Sequence, residues 1–510
     1  MLFNSYAFLF LFLPVTVVGY FAIGKRHRVA AAAWLAACSL FFYAWWDYRY
    51  LALLGGSIVF NYLAGSRLTA LAGSARGKRL LAFAVGANLA LLGCFKYADF
   101  FIGTVNLGIG TSIPLLRVVL PLGISFFTFT QIAFLVDAWR GLAAEYRFVH
   151  YTLFVSYFPH LIAGPVLHHK EMMPQFDMAR NYVPRIRNFE VGLTIFIIGL
   201  CKKVLIADNL AEYANTLFDG RSDASFFLAW GGVLSYSFQL YFDFSGYSDM
   251  AIGLSRLFGV RLPLNFNSPY KARNIIEFWR RWHMTLSRFL RDYLYFPLGG
   301  NRHGRGRRYL NLMTTMLLGG LWHGAGWNFV IWGGLHGLYL AINHAWQSLR
   351  PSRARPANRT GTAAAVATTF VFVTIGWVFF RSPDLDTAQR ILEGMFGLHG
   401  VAVPASLVNR MPALHTIIDR LGIETFLGGT SLFAMNYAWV TVAAFIAFGL
   451  PNSQEWVRRF DPALDVRFAD TARTALVWRP NPAWALGLGL LGAVALLSLS
   501  RPSSFLYFQF

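Results

Sequence analysis

The chain has 510 residues, of which 56% are hydrophobic and 14% are charged, and its mean hydropathy is +0.46. Soluble proteins carry about a quarter of charged residues, so this composition excludes a soluble globular protein. The formal net charge of +21 is explained by basic cytoplasmic loops and does not indicate nucleic-acid binding.

Apolar runs long enough to cross a hydrocarbon core of about 30 Å recur along the whole chain. The first run lacks a preceding basic segment and a cleavage site, so we interpret it as a retained span rather than a signal peptide. The predicted spans are 5–23, 29–46, 50–66, 80–97, 115–137, 149–167, 190–207, 225–257, 309–325, 327–346, 361–381, 431–450 and 483–500. We predict an all-α polytopic integral membrane protein, one domain over residues 1–510, with about 11–13 membrane helices including re-entrant segments.

The basic loops predict an orientation. Lys and Arg cluster in the loops 25–28, 67–79 and 140–147. Because successive spans alternate in direction, all three loops lie on the cytoplasmic side if the N-terminus lies outside the cytoplasm, as the positive-inside rule requires. The loop 170–187 is also basic and breaks this alternation. A re-entrant segment at 149–167, which contains two prolines, would restore it, and a simple failure of the charge rule is the alternative.

Residues 276–294 have an apolar face with arginines outside it, which predicts an amphipathic helix at an interface or in a groove. His283 lies at the edge of that face. A glycine-rich basic loop, 298–308, follows, and we place the whole segment 271–308 on the cytoplasmic side. It either anchors the protein on anionic lipid or binds a phosphorylated cytosolic donor, because arginine forks suit phosphate. The candidate donor-binding residues are Arg280, Arg281 and Arg302.

Acidic residues in the apolar stretch 236–253 are a second candidate site, because an intramembrane acid is costly. We expect Asp243, Tyr247 and Asp249 to line or support a cavity rather than to act as nucleophiles. The alternative is a buried hydrogen-bond network or an ion pair with Arg256 or another helix.

Two histidines, His323 and His336, lie in the apolar, glycine-rich stretch 319–337. On one continuous helix they would be separated by about 20 Å of rise and about 220° of rotation, so we predict no shared metal site. A hydrogen-bonded core histidine is the alternative role for each. His323 is flanked by Trp322 and a glycine and is close in sequence to the basic loop. A histidine kept neutral by desolvation is a suitable general base for a hydroxyl.

These stretches resemble a known family. RRWHMTLSRFLRDYLYFPLGGNR (280–302) and TMLLGGLWHG (315–324) are similar to motifs of the membrane-bound O-acyltransferase family, most closely its bacterial polysaccharide branch of alginate O-acetyltransferases. Further similar stretches are MLFNSYAFLFLFLP (1–14), FYAWW (42–46), FPHLIAGPV (158–166) and QLYFDFSGYSDMAIG (239–253). The C-terminal third, after about residue 380, matches least clearly.

The resemblance implies a ring of helices around a buried tunnel, with the segment 309–346 as the catalytic region. His323 would be the principal catalytic histidine and His283 the second. The resemblance gives His336 no firm role, and we interpret His336 and Trp322 as supporting residues or as part of the tunnel wall. The donor would be cytosolic acetyl-CoA, with no permanently bound cofactor. The acetyl group would reach an extracytoplasmic glycan through periplasmic acetyltransferase or acetyl-carrier proteins. The protein would lie in a bacterial inner membrane, with its N-terminus in the periplasm.

The predicted mechanism follows from this assignment. His323 takes a proton from an acceptor hydroxyl that attacks the thioester, and His283 or a backbone amide stabilises the oxyanion. Alternatives are O-acetylation of cellulose, peptidoglycan or another glycan, D-alanyl transfer to teichoic acid, and a non-catalytic lipid or glycan transporter. Transporters often contain internal repeats, and we find none. We expect 383–430 to be an interfacial amphipathic segment, and 347–360 and 451–482 to be polar connections.

Overall fold

Helices account for nearly all of the secondary structure in the computed structural model. The structure describes residues 1–143, 147–162, 164–220, 224–349, 358–410, 415–464, 477–500 and 506. Its one sheet within these ranges is a parallel pair, Ala402–Pro404 with Glu424–Phe426, in which Ala402 lies opposite Glu424. The prediction of an all-α polytopic membrane protein is confirmed. Residues 350–357 and 465–476, which belong to the two predicted polar connections, lie outside the described ranges.

The N-terminal half is a succession of apolar helices joined by short turns. Its helices are Phe8–Gly24 with a π-helical start, Arg28–Ala44, Arg49–Ala70, Ala75–Leu92, Gly93–Tyr97 (π), Ala98–Ile109, Ile124–Trp139, Phe148–Ser156, Phe158–Leu161, His169–Asp177, Ala179–Tyr182 (3₁₀), Ile186–Cys201, Lys202–Ala207 (π), Asp208–Phe218 and Phe226–Leu257.

The second half contains the histidine motifs and the least similar C-terminal segment. Its helices are Pro269–Lys271 (3₁₀), Ile275–Trp279, Met284–Leu290, Arg291–Tyr295 (π), Gly304–His323, Trp327–Leu349, Arg359–Arg381, Leu385–Met395, Ala405–Arg410, His415–Leu421, Thr430–Ala444, Phe445–Gly449 (π), Ser453–Trp456, Arg458–Phe460 (3₁₀), Pro482–Leu497 and Ser498–Ser500 (3₁₀).

Helices differ in whether they have the length and apolar character of a membrane span. Among the described residues, five qualify: Arg49–Ala70, Ala75–Ile109, Arg359–Arg381, Thr430–Gly449 and Pro482–Ser500. Shorter apolar helices are Phe8–Gly24, Arg28–Ala44 and Ile124–Trp139. Of the other predicted spans, 225–257 lies largely in the protein interior, whereas 309–325 and 327–346 keep exposed apolar side chains such as Leu318 and Leu338.

Helix Phe226–Leu257 is the centre of this interior. All of its residues from Ser235 onward are buried, so this helix contacts protein rather than lipid. It packs against Ile186–Cys201 at a glycine pair, where a Cβ on Gly199 would lie 2.6 Å from the carbonyl oxygen of Gly246. Small residues allow such close backbone contact between helices in membranes.

Two predicted spans, 115–137 and 149–167, are not continuous helices. The first begins only at Ile124, because Gly123 adopts a left-handed conformation (φ 69°) and residues 110–120 are not helical. The second is divided at Tyr157, next to a proline, into pieces of which the longer has nine residues. Nine residues rise about 14 Å, roughly half of a hydrocarbon core, so this segment does not cross it as a helix.

The predicted single helix 276–294 is also wrong. It is divided at His283, whose φ of 42° and ψ of 53° are left-handed. The break is imposed by a neighbouring extended segment. The Asn267 N–H donates to the Arg281 carbonyl at 2.9 Å, and the Met284 N–H donates to the Asn265 carbonyl at 3.0 Å.

Helices Gly304–His323 and Trp327–Leu349 form a tight hairpin and correspond to the separate predicted spans 309–325 and 327–346. The separation calculated for one continuous helix therefore does not apply to His323 and His336. The first helix ends at Gly324, which is extended. A Cβ on Gly333 would collide with the Met316 carbonyl, so the two helices are in backbone contact. The turn brings both histidines into one aromatic cluster.

Candidate active site

His283 and His323 lie next to each other in the protein interior. Their ring centroids are 6.4 Å apart, and the two side chains come from the left-handed break at 283 and from the last turn of Gly304–His323. His283 is fully buried and His323 is 6% exposed. The structure therefore places together the two histidines that the sequence singled out as catalytic.

Aromatic side chains enclose this histidine pair. The His323 ring lies 4.9 Å from Trp322, 5.1 Å from Trp332 and 5.2 Å from Phe380, measured between centroids. The His283 ring contacts Phe244 edge-on at 4.8 Å. Such apolar walls exclude water, which strengthens electrostatic interactions within the chamber.

His336 lies one layer further from the pair. Its ring is 4.9 Å from Trp332 and 5.2 Å from Trp279, and neither ring nitrogen has a hydrogen-bond partner among the described residues. A Cβ on Gly376 would lie 3.0 Å from its Nε2. His336 is thus separated from His323 by the Trp332 indole, which fits the expected structural or cavity-lining position.

Asn265 holds the His283 ring, and no sequence signal identified it. Its side-chain oxygen lies 3.1 Å from His283 Nδ1, and Asn265 is itself fully buried. The same oxygen accepts hydrogen bonds from the Thr285 backbone N–H at 3.3 Å and the Thr285 hydroxyl at 2.9 Å.

Lys96 is a second residue that the sequence analysis missed. Its ammonium donates to the carbonyl oxygens of Trp322 at 2.5 Å and His323 at 3.2 Å, and Tyr97 donates to that of Leu321 at 2.8 Å. These are the carbonyls that a helix leaves unsatisfied at its C-terminal end. A lysine inside the predicted span 80–97 was the available signal, since intramembrane charges mark functional sites.

A cavity of about 580 Å³ adjoins the His283 side of the chamber. Met284 and Thr285, which follow His283, are part of its wall, together with apolar residues such as Ile276 and Met316. Its cationic lining residues are Arg280, Arg288 and Arg291. Arg288 is already paired with Glu171 through a two-pronged contact, one distance being 2.8 Å.

The other two candidate donor-binding arginines occupy different positions. Arg281 forms an ion pair with Glu277 at 2.7 Å and is not part of the cavity lining. Burial raises the pKa of Glu277, but the Arg273 N–H and the Arg281 charge outweigh it and lower that pKa below its ordinary value. Arg302 lies exposed in the turn before Gly304 and is also absent from the lining.

Two smaller cavities adjoin the His323 side. One, of about 40 Å³, is lined by His323, Trp322, Ser125 and Lys96 among others. The next, of about 190 Å³, shares Lys96 with it and extends to Asp99. His323 therefore lines the small cavity beside Lys96, whereas the 580 Å³ cavity contacts Met284 and Thr285, the residues that follow His283, and neither histidine of the pair.

The buried acids belong to an ion-pair network. Asp243 pairs with Lys203 at 2.6 Å, and Asp249 pairs with Lys202 at 2.6 Å, so neither takes Arg256 as its partner. Tyr247 stacks on Phe3 with centroids 4.8 Å apart. None of the three lines the cavities described above, which favours the supporting role over direct contact with substrate.

The described residues contain no group of three or more His, Cys, Asp or Glu side chains that could hold a metal ion. The described residues supply two imidazoles, a nearby cationic cavity and hydrogen-bond donors in apolar surroundings. Such a set can move a proton from a hydroxyl and hold an anionic ligand, which are the requirements of acyl transfer from a phosphate-bearing donor.

Comparison with known proteins also indicates acyl transfer. The sequence model of the membrane-bound O-acyltransferase family matches residues 123–381, which include both histidines of the pair, Asn265 and His336. The chain is 44% identical to a peptidoglycan O-acetyltransferase of Helicobacter pylori over 481 residues, covering 89% of this chain and 90% of the relative.

Two further relatives match different shares of the chain. A probable alginate O-acetylase of Pseudomonas aeruginosa is 40% identical over 534 aligned positions, covering 100% of both chains. A teichoic acid D-alanyltransferase of Bacillus subtilis is 30% identical over 268 residues, 51% of this chain and 68% of the relative. The chain is an acyltransferase and belongs to the membrane-bound O-acyltransferase family.

Proposed function

We propose that this protein moves an acetyl group from cytosolic acetyl-CoA across a bacterial inner membrane for the O-acetylation of an exported polysaccharide. Alginate is our first candidate, because the alginate O-acetylases align with the chain from end to end. Peptidoglycan is the second, since a relative named for it has the higher identity over a slightly shorter span. Cellulose or another glycan would need the same chemistry.

The observation that carries this proposal is the buried pair His283–His323, with the small cavity beside Lys96 against His323 and the 580 Å³ cavity against Met284 and Thr285, which follow His283. The 580 Å³ cavity has apolar walls that suit a thioester arm and cations that suit phosphates, so we assign it to the donor. Arg280 is the leading candidate for the phosphates, because it lines the cavity and Arg281 is held by Glu277. The small cavity beside Lys96 is assigned to the acceptor side.

In the proposed mechanism His323 is the general base. Its imidazole takes the proton of the acceptor hydroxyl, whose oxygen bonds to the thioester carbonyl carbon. The resulting tetrahedral oxyanion needs hydrogen-bond donors, for which His283 and backbone amides are the candidates. Its collapse breaks the carbon–sulfur bond, and the departing thiolate takes the proton from the imidazolium, which restores the neutral base.

The orientation follows the basic loops. We propose that the N-terminus lies in the periplasm and that the segment 271–308, with its arginines and glycines, faces the cytosol where acetyl-CoA is found. The acetyl group then emerges on the periplasmic side, where acetyltransferase or acetyl-carrier proteins of the polysaccharide export system complete the transfer to the glycan. No cofactor needs to be bound permanently, because acetyl-CoA is consumed as a substrate.

The test is thiol release from acetyl-CoA by the purified full-length protein in nanodiscs. We expect release by the wild type and loss of at least about 100-fold with His323→Ala, the range of general-base contributions. His336→Asn is the matched control, because it alters a buried histidine of the same aromatic cluster that lies behind Trp332. Equal loss in both variants, or unfolding of His323→Ala, would favour a structural role for His323.

Two alternative functions make different predictions in the same assay. D-alanyl transfer predicts no thiol release from acetyl-CoA but release from a carrier protein loaded with D-alanine. A lipid or glycan transporter predicts that translocation into vesicles survives His323→Ala. Acetyl release from acetyl-CoA that depends on His323 contradicts both.

A further inference from the structure

The hydrogen bonds of Asn265 determine which nitrogen of His283 carries its proton. The side-chain oxygen of Asn265 lies 3.1 Å from His283 Nδ1. In a neutral imidazole one nitrogen donates and the other accepts, so this contact alone is compatible with either tautomer and either orientation of the Asn265 amide.

Thr285 removes the ambiguity. Its backbone N–H, which can only donate, lies 3.3 Å from the same Asn265 oxygen. Its hydroxyl accepts from the Val166 N–H at 2.9 Å and therefore has its own proton free for Asn265, at 2.9 Å. Turning the amide around would set its NH₂ against the Thr285 N–H. The atom that meets His283 is therefore an oxygen, and an oxygen accepts.

His283 Nδ1 is consequently the protonated nitrogen, and Nε2 carries the lone pair. Nε2 is buried and has no hydrogen-bond partner among the described residues. The ring neighbours of His283 are Phe244, Phe266, Trp322 and His323. Of these, His323 is the titratable one, and it belongs to the proposed catalytic pair.

We propose that Asn265 is a positioning residue that fixes His283 as the Nδ1–H tautomer, so that His283 enters the reaction as an acceptor at Nε2 and not as an oxyanion donor. A neutral His283 has no hydrogen to offer at that nitrogen. This role of His283 in the reaction rests on the proposed function, in which His283 and backbone amides are the two candidates for stabilising the oxyanion. The oxyanion is then stabilised by backbone amides and other N–H donors of the chamber.

The left-handed backbone at His283 supports this assignment. Few residues other than glycine adopt such a conformation, and where they do the surrounding contacts hold them there. Here the contacts come from Asn265, whose backbone carbonyl accepts from Met284 N–H at 3.0 Å while its side chain binds the ring. Asn265 thus contributes to the backbone break, together with Asn267, and holds the His283 ring.

The first experiment is independent of catalysis. The full-length protein in nanodiscs is labelled with ¹⁵N-histidine, and the His283 ring signals are assigned by their absence in His283→Gln. We expect correlations of a protonated Nδ1 and a bare Nε2 above neutral pH. A protonated Nε2 would overturn the inference. This result stands even if the wild type releases no thiol from acetyl-CoA, which would count against the proposed function alone.

The second experiment compares Asn265→Asp with Asn265→Leu by the pH dependence of thiol release. The carboxylate created by Asn265→Asp still accepts from His283, and its charge stabilises the His283 imidazolium. The acidic limb of the pH–rate profile therefore moves to higher pH, while the rate at alkaline pH stays near that of the wild type. Asn265→Leu frees the tautomer and lowers kcat by roughly 100-fold or more at every pH, with KM for acetyl-CoA little changed.

A merely structural Asn265 gives a different pattern. Both variants would then reduce the amount of folded protein, and the folded fraction would keep the wild-type pH profile. An unshifted acidic limb in a well-folded Asn265→Asp protein overturns the inference.

Discussion

The ammonium of Lys96 lies 2.5 Å from the carbonyl oxygen of Trp322 and closes the end of the helix that carries His323. The two residues are 226 positions apart in the chain. A cation from an N-terminal apolar helix therefore fixes the last turn of the helix before the hairpin turn and satisfies carbonyls that have no intrahelical partner.

Replacing Lys96 with Met should loosen this turn. Hydrogen bonds to charged groups contribute about 1.5–3 kcal/mol each, so we expect Lys96→Met to lower the unfolding temperature and to reduce kcat for thiol release. Lys96→Arg, which retains the charge, should keep more of both. Unfolding is followed by thermal shift in detergent. Wild-type kcat and unfolding temperature in Lys96→Met would show that the contact is dispensable.

Tyr97→Phe is the control for general loosening of the same helix end. It removes a single neutral hydrogen bond, to the Leu321 carbonyl at 2.8 Å, which is worth about 1 kcal/mol. We expect a small fall in unfolding temperature and little change in kcat, because the Trp322 and His323 carbonyls keep their partner.

The hairpin of Gly304–His323 and Trp327–Leu349 predicts a sharp difference between two adjacent glycines. A Cβ on Gly333 would collide with the Met316 carbonyl, whereas a Cβ on Gly334 would meet Leu317 Cδ2 at an ordinary 3.5 Å. Gly333→Ala should therefore separate the helices, cost about 1–3 kcal/mol of stability and reduce thiol release. Gly334→Ala should leave both near wild type. Equal behaviour of the two variants would contradict the backbone contact.

Asp249 should matter for stability more than for chemistry. Its carboxylate accepts from Lys202 at 2.6 Å, Ser453 at 2.7 Å and Gln454 at 3.1 Å, and it lies outside the lining of the donor cavity. Removing one partner of a buried ion pair costs about 3–5 kcal/mol, so Asp249→Ala should lower the yield and the unfolding temperature. The folded fraction, quantified by gel filtration, should keep the wild-type kcat. A lowered kcat in folded protein would instead assign Asp249 to the reaction.

The sequence was sufficient for the membrane class and for singling out two histidines that lie together, since His283 and His323 each stand in a specific motif within apolar surroundings and their rings are 6.4 Å apart. It was not sufficient for the contacts that position them. The amphipathic pattern of 276–294 is the same whether the helix is continuous or broken, and the break at His283 comes from backbone pairing with the separate segment 265–267. Likewise, the spans 309–325 and 327–346 are predicted as separate helices, but their sequences do not reveal that the two helices are in backbone contact at Gly333.

The 580 Å³ cavity distinguishes Arg280 from Arg302, which the sequence analysis assigned the same donor-binding role. Arg280 lines the 580 Å³ cavity, while Arg302 lies exposed in a turn outside it. If Arg280 binds a phosphate of acetyl-CoA, Arg280→Ala should raise KM by roughly tenfold, about 1.4 kcal/mol of binding, and leave kcat nearly unchanged. Arg302→Ala should leave KM within about twofold of the wild type.

A truncated donor makes this test specific for phosphate. Acetyl-pantetheine has the thioester and the pantetheine arm but no nucleotide phosphates, so its KM should be high with the wild type and unaffected by Arg280→Ala. Thiol release is measured for both donors with both variants. If Arg280→Ala raised KM equally for acetyl-pantetheine and acetyl-CoA, Arg280 would shape the cavity wall rather than bind phosphate. Only a residue that contacts the nucleotide phosphates can distinguish the two donors.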